Sequence, residues 1–176
     1  ARLAGRQGIA AAAPEVARQL ARPELPLRLA AVEALLALRN PVSAHALQGA
    51  LGDGEREVRI AAARALAALR YTPARPALEA AIDSRRLREA DLTERIAFFE
   101  AYGAVAGEEG VAQLDRMLNG KSWLGRKETP EMRACAALGL ARSGLPAARR
   151  ALAGASADTD PVVRSAVGRA LRAIDG

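Results

Sequence analysis

The sequence predicts an all-α fold, a right-handed α-solenoid of stacked antiparallel helical hairpins, and three observations predict it. An arginine-led segment recurs five times, at Arg28, Arg59, Arg95, Arg133 and Arg164, with spacings of 31, 36, 38 and 31 residues. A self-similar period in this range marks hairpins that cannot bury their apolar faces alone and stack on their neighbours. Behind each arginine the same offsets carry small or apolar residues. The sixth residue on is Ala34, Ala65, Ala101, Gly139 or Ala170, and the seventh is Leu35, Leu66, Tyr102, Leu140 or Leu171. The tenth is Leu38, Leu69, Val105, Ser143 or Ile174. At about 100° per residue, offsets three, six, seven and ten share one stripe about 100° wide, the buried face of an amphipathic helix. Offset five points away from it, and Glu33, Arg64, Glu100, Leu138 and Arg169 stand there, four of the five charged as a solvated face requires. The third observation is a hydrogen-bond acceptor followed by proline, repeated at Asn40-Pro41, Thr72-Pro73, Thr129-Pro130 and Asp160-Pro161. Proline suits the first helical position because the amide it lacks has no partner there anyway.

Taken in order, residues 9–21 read as the second helix of a pair, with Val16 and Leu20 inward and Pro14 near its start, which makes 1–21 a partial repeat. Repeat 24–52 pairs a helix over 26–39 with one over 41–51, whose inner face carries Leu47 and Leu51. The Gly-Asp-Gly stretch at 52–54 then breaks the chain before repeat 55–84, made of helices 55–70 and 73–83 with Leu78 and Ile82 inward. Residues 84–91 are an insertion with a short turn of helix, and Asp91 with Glu94 form a capping box for helix 92–106. Its partner over 107–119, with Leu114 and Leu118 inward, completes repeat 92–120. A second insertion, 120–129, precedes repeat 130–156, made of helices 130–143 and 145–155, and the partial repeat 160–176 closes the chain with a helix over 160–174. The two long spacings coincide with the two insertions. The whole is read as a single domain, and a chain that starts and stops in mid-repeat is expected to be a piece of a longer one.

The residues also carry a motif. The form Asp-x5-Arg-x2-Ala-x2-Ala-Leu runs from Asp53 through Arg59 to Ala62, Ala65 and Leu66, and again from Asp158 through Arg164 to Val167, Ala170 and Leu171. It resembles a HEAT repeat of the short bacterial type, similar to phycobilisome-lyase HEAT-like repeats, over nearly the whole chain. Glu89, six before Arg95, makes a conservative third copy, while Arg22 and Lys127 depart from the pattern at the equivalent places. The resemblance implies a ladder in which the acid of one repeat bonds the arginine of an adjacent one, drawing on Asp53, Asp158 and the arginines at 28, 59, 95, 133 and 164. It also implies a protein partner on the concave surface lined by the second helices. Some members resemble lyases or lyase subunits that handle bilin chromophores, and a distant HEAT-like group comprises DNA glycosylases with a basic concave face.

Composition narrows the functional classes. Nothing approaches the roughly 20 uncharged apolar residues that cross a membrane, and no signal-peptide pattern is present, so no membrane and a cytoplasmic location are expected. One cysteine and one histidine exclude an internal disulfide and a usual structural zinc site, so neither metal nor cofactor is expected, and a reducing compartment is the default. The net charge of +6 prompts a nucleic-acid hypothesis, but it rests on arginine with only Lys121 and Lys127 beside it. Together with abundant Ala and Gly, that fits the codon bias of a GC-rich genome, and a basic footprint has to cluster on one face to count.

Candidate contact residues follow from helix phase. Arg18, Arg116 and Arg150 each stand two residues after an inward apolar position and Arg75 three before one. They form either a broken ridge on the concave face or a solvated face whose long side chains cover apolar surface. Trp123, beside Arg126 in the second insertion, is either a binding anchor or a lid on the end of the core. Cys135 takes a position held by Ala30, Ala61, Ala97 and Ala166 in the other repeats, which reads as a small core filler. His45 has no catalytic group that the sequence places beside it. The expected function is a scaffold that is not an enzyme and binds another protein along its concave face, with nucleic-acid binding second and a bilin-lyase-like accessory role third.

Overall fold

A computed structural model describes residues 12–120 and 127–175, and every regular element among them is helical. In order these are α1 (12–18), continued by a 3-10 turn Gln19–Ala21, α2 (Leu25–Leu38), α3 (Pro41–Gly49), α4 (Arg56–Leu69), α5 (Arg75–Asp83), α6 (Arg85–Glu89), α7 (Leu92–Val105), α8 (Gly107–Asn119), α9 (Pro130–Ser143), α10 (Pro146–Gly154) and α11 (Pro161–Asp175). The fold class is all-α, as the repeat phase predicts, with α2, α4, α7, α9 and α11 as the arginine-led first helices and α1, α3, α5, α8 and α10 as the second helices. The chain's contacts cluster into two compact units that divide between Ala77 and Leu78, within α5.

Helix starts follow the cap signals with one exception. Asn40 accepts the Ser43 amide at 2.8 Å, Thr129 accepts that of Met132 at 3.4 Å, and Asp160 accepts those of Val162 and Val163. Thr72-Pro73, by contrast, begins only a 3-10 turn, Thr72–Ala74, in which Thr72 caps nothing with its side chain, and the α-helix proper starts at Arg75. The insertion 84–91 folds into α6 because the Ser84 hydroxyl accepts the Leu87 amide and Leu87 is fully buried. Asp91 then accepts the amides of Thr93 and Glu94 and starts α7. Helices α2 and α4 both stop on an arginine in the left-handed region, Arg39 at φ 48° and Arg70 at φ 47°, which turns the chain into the next helix.

In the first unit α2 packs on α4 and on its own partner α3, around Leu35, Leu47, Val58 and Leu66, all fully buried. In the second unit α9 lies between α7 and α11, with α8 and α10 forming the other layer. The aromatic run Phe98, Phe99 and Tyr102 fills its centre. The Tyr102 hydroxyl remains paired there by donating to Gln113 Oε1 at 2.5 Å, and Gln113 in turn donates to Asp83 at 3.2 Å.

Helix α9 departs from the expected amphipathic pattern. Residues Met132–Leu140 are buried without interruption, and Leu138, at the offset expected to face water, is only 7% exposed. Glu33, Arg64 and Arg169 at the same offset are exposed and Glu100 is half-buried. The cause is a close crossing of α7 and α9. A Cβ on Gly103 would lie 1.8 Å from the Gly139 carbonyl oxygen, and one on Gly139 would lie 2.6 Å from that of Phe99. Only two glycines allow backbones to approach so nearly, and the approach sinks α9 below its neighbours.

This contact generates a prediction. Gly103→Ala and Gly139→Ala should each destabilise the protein by about 1–3 kcal/mol or more, the range for forced overpacking of a rigid core. Gly49→Ala, at a helical site with nothing within 4 Å of the added carbon, should be neutral or stabilising by up to about 1 kcal/mol. Chemical denaturation of the three variants measures both; equal effects at Gly49 and Gly139 would contradict the close crossing.

Candidate functional site

The second unit carries a groove between α8 and α10, of about 660 Å³. Sequence spacing creates it. Glu108, Val111, Ala112, Asp115 and Asn119 recur at three- and four-residue steps on α8, and Ala147, Arg150, Ala151 and Gly154 do so on α10, so each set shares one helix face. Small residues at 112, 147, 151 and 154 keep the space between the helices open. The Asn119 side-chain amide crosses it, donating to the Ala151 carbonyl at 3.0 Å and to Asp115 Oδ1 at 2.7 Å. Glu108 and Arg150 are exposed, and Arg150 makes no ion pair among the described residues.

Asp158 and Lys127 close the groove, and behind them lies the strongest electrostatic feature of the unit. Arg133, at the start of α9, donates through Nε to the Leu118 carbonyl at 2.8 Å and through both terminal nitrogens to the Asp158 carboxylate. The two side chains are 5% and 7% exposed. Asp158 also accepts the Asp160 amide at 3.0 Å, and Lys127 Nζ stands 3.5 Å away. Hydrogen bonds from Arg133, then the Asp160 amide, hold the Asp158 carboxyl well below the usual carboxylate range despite its desolvation.

In the first unit Arg28 repeats this arrangement in looser form. Its Nε lies 3.2 Å from Asp53 Oδ2, an ionic contact whose angle is poor for a hydrogen bond, while Nη1 donates to the carbonyls of Arg22 and Pro23. Both ion pairs join an arginine to the acid of the following repeat, 25 residues on. Arg59 and Arg164, like Arg28, donate to the carbonyls six and five residues before them, at Asp53 and Gly54 and at Asp158 and Thr159. Arg95 stands apart. The position that would supply its acid, six before Arg133, is Lys127, and the buried Arg95 Nε has no hydrogen-bond partner among the described residues.

The remaining sequence-derived candidates fall in different places. Arg150 lines the groove, whereas Arg116 is exposed on α8 and does not line it. Arg18, in the first unit, is exposed and paired with Glu15 one turn away, and Arg75 is half-buried. Trp123 and Arg126 lie outside the described residues. His45 is exposed. Cys135 is fully buried, and burial pushes its thiol up to about 11 against the opposing pull of Arg95. Among the described residues no group of three or more His, Cys, Asp and Glu is placed to hold a metal ion, and no helix is long and apolar enough to cross a membrane. Sequence reasoning missed Glu108, Asp115 and Asn119; their signal was the three- and four-residue spacing opposite the small residues of α10.

Comparison with known proteins bears on the same elements. Residues 13–97 match the family of HEAT repeats. That segment is HEAT repeats. No curated protein sequence matches the chain. Among solved structures, human deoxyhypusine hydroxylase in complex with glycerol aligns over 99% of this chain and 98% of its own, at 15% identity and a TM-score of 0.46. The expectation that this chain is not an enzyme is not upheld, the protein so aligned being named for a hydroxylase activity.

Two predictions follow from the ion pair and the thiol. Asp158→Asn strands a buried guanidinium and should cost about 3 kcal/mol at neutral pH. Because the folded carboxyl titrates below the unfolded one, its contribution is complete above the unfolded value of about 4 and is lost as pH falls beneath it. The difference between wild type and variant in urea melts should therefore narrow below about pH 4, and a constant gap would contradict the assignment. Cys135 should resist a thiol reagent at pH 8 in the native protein and react at the rate of a free cysteine in denaturant; fast native labelling would show that the burial is not maintained.

Proposed function

We propose that this HEAT-repeat chain is a scaffold that holds a peptide segment of a protein partner on its second-helix face, seated between α8 and α10. The groove's mixture of charges carries the reading. Glu108 and Asp115 line one wall and Arg150 the other, above a floor of alanine and glycine. A phosphate backbone rewards a run of like-signed cations, and two carboxylates in the same groove oppose it. A polypeptide, with both signs on its side chains and a backbone able to approach a floor of small residues, suits it better. Arg150 supplies a cation that makes no ion pair among the described residues, and Arg116, exposed on the same helix as the carboxylates, supplies steering; such charges set association rate and register more than raw affinity.

Selection of peptides from a displayed random library, followed by titration, tests this. Peptides recovered on the wild-type chain should lose at least about tenfold in affinity to Arg150→Glu and, separately, to Asp115→Lys, since truncating or reversing a desolvated charge costs more than about 1.4 kcal/mol. Binders indifferent to both changes would place recognition elsewhere. A duplex DNA that binds with a steep salt dependence abolished by Arg150→Glu, with no peptide recovered, would replace the proposal with a phosphate-binding one.

A further inference from the structure

The recessed α9 leaves a second feature, on the first-helix face of the second unit. Two adjoining hollows, of about 390 and 300 Å³, share Ile96, Leu138 and Arg169 and so form one continuous trough. Its floor is α9, through Ala134, Leu138 and Ala141, and its walls are α7 and α11. Along α9 the lining runs from Glu131 to Arg142, which at 1.5 Å per residue is about 16 Å, or three helical turns. Leu92 and Val162, each 49% exposed, stand on opposite walls at one end, and they are two of the four large apolar side chains exposed among the described residues.

The ends of the trough differ in charge. Glu131 lies at the end where α9 begins and Arg142 at the end where it finishes, while Arg169 stands where the two hollows meet, with the half-buried Glu100 on the α7 wall. Neither arginine makes an ion pair among the described residues. A helix carries acidic residues most comfortably at its N-terminus and basic ones at its C-terminus. Laid antiparallel to α9, such a helix meets Arg142 with its acidic end, Arg169 at its middle and Glu131 with its basic end.

We infer that this trough seats one amphipathic helix of a different protein, about three turns long, antiparallel to α9, with a narrow aliphatic stripe and carboxylates in its N-terminal half. A second copy of this chain fits poorly. Its four exposed large apolar side chains, Leu27, Val42, Leu92 and Val162, sit one each on α2, α3, α7 and α11, so no described helix offers a free apolar stripe to insert. The net charge of +6 also opposes self-association. Helix-in-groove recognition of this kind is read through apolar anchors at i, i+3 or i+4, and i+7.

A displayed library of helical peptides, with randomised stripe and edge positions, provides the test. Selection on the wild-type chain is followed by fluorescence anisotropy against Ser165→Trp, which fills the trough from an exposed position on α11, and against Arg169→Glu. Circular dichroism melts confirm that both variants fold, and Asp115→Lys in the other groove serves as the control. The expected peptides share the apolar stripe and N-terminal carboxylates, lose at least tenfold in affinity to both trough variants, and are unaffected by Asp115→Lys. A fluorophore on the peptide N-terminus should transfer energy more efficiently to a label at Arg142→Cys than at Glu131→Cys. Peptides insensitive to Ser165→Trp, peptides without helical periodicity, a reversed transfer pattern, or a concentration-dependent dimer abolished by Ser165→Trp would each overturn the assignment.

Discussion

A buried guanidinium at the first turn of a helix must find acceptors, and Arg133 finds them in two directions at once. Backwards, its Nε satisfies the Leu118 carbonyl, one of the last four of α8, which have no partner within their own helix. Forwards, it holds the carboxylate of Asp158, which in turn receives the Asp160 amide and shapes the turn before α11. One side chain therefore joins the end of one hairpin to the start of the next but one helix, and the carboxylate stays ionised because every lone pair that matters is engaged. Arg28 and Asp53 do the same more loosely in the first unit, with both side chains slightly more exposed. The pair is a device for fixing how successive repeats follow one another, a specificity that apolar stacking alone leaves open because one aliphatic stripe packs on another in many registers.

A second constraint, the crossing of α7 and α9, decides what the second unit presents to solvent. Two glycines replace the side chains that would keep the helices apart, so α9 lies low between its neighbours and α7 and α11 become walls above it. The same move explains why a leucine is tolerated at an offset where the other copies place charge, and it converts one layer of parallel helices into a trough. Opposite it, small residues on α8 and α10 leave open a groove of different character, polar and of mixed sign. Both surfaces are consequences of where side chains are missing rather than of where they are large.

How much of this the sequence discloses follows the same logic. Periodicity is a property of one helix at a time, so the buried faces are legible: Leu35, Leu66, Tyr102 and Leu140 are all buried, and so are Leu47, Leu78, Leu114 and Leu118 on the second helices. Caps are local too, and three of the four acceptor-proline starts cap as read; Thr72 does not, because the chain passes first through a 3-10 turn. Relations between helices are less legible. Gly139 occupies a position where the other copies carry alanine, and its partner Gly103 has no repeat-wide counterpart, so their contact is visible only once the two helices are side by side. The acid that serves each buried arginine likewise lies in the following repeat, and Lys127 in place of an aspartate leaves Arg95 Nε without an acceptor.

The arginine content takes on a different meaning in this setting. A charge of +6 counts Arg28, Arg59, Arg133 and Arg164 as though they faced a ligand, yet each spends its guanidinium on carbonyls of its own chain. Those carbonyls lie in the turns between hairpins or at the end of α8, where backbone acceptors are left over and a cation is favoured by the partial negative charge of a helix terminus. Arginine suits the task better than lysine because its donors are fixed in a plane and reach two acceptors together. The repeat's most regular basic position is thus consumed in fastening the fold, and the arginines that line the two grooves are irregular ones, Arg150 in one and Arg142 and Arg169 in the other. Each of these stands near a carboxylate, which points recognition toward surfaces that carry both signs of charge.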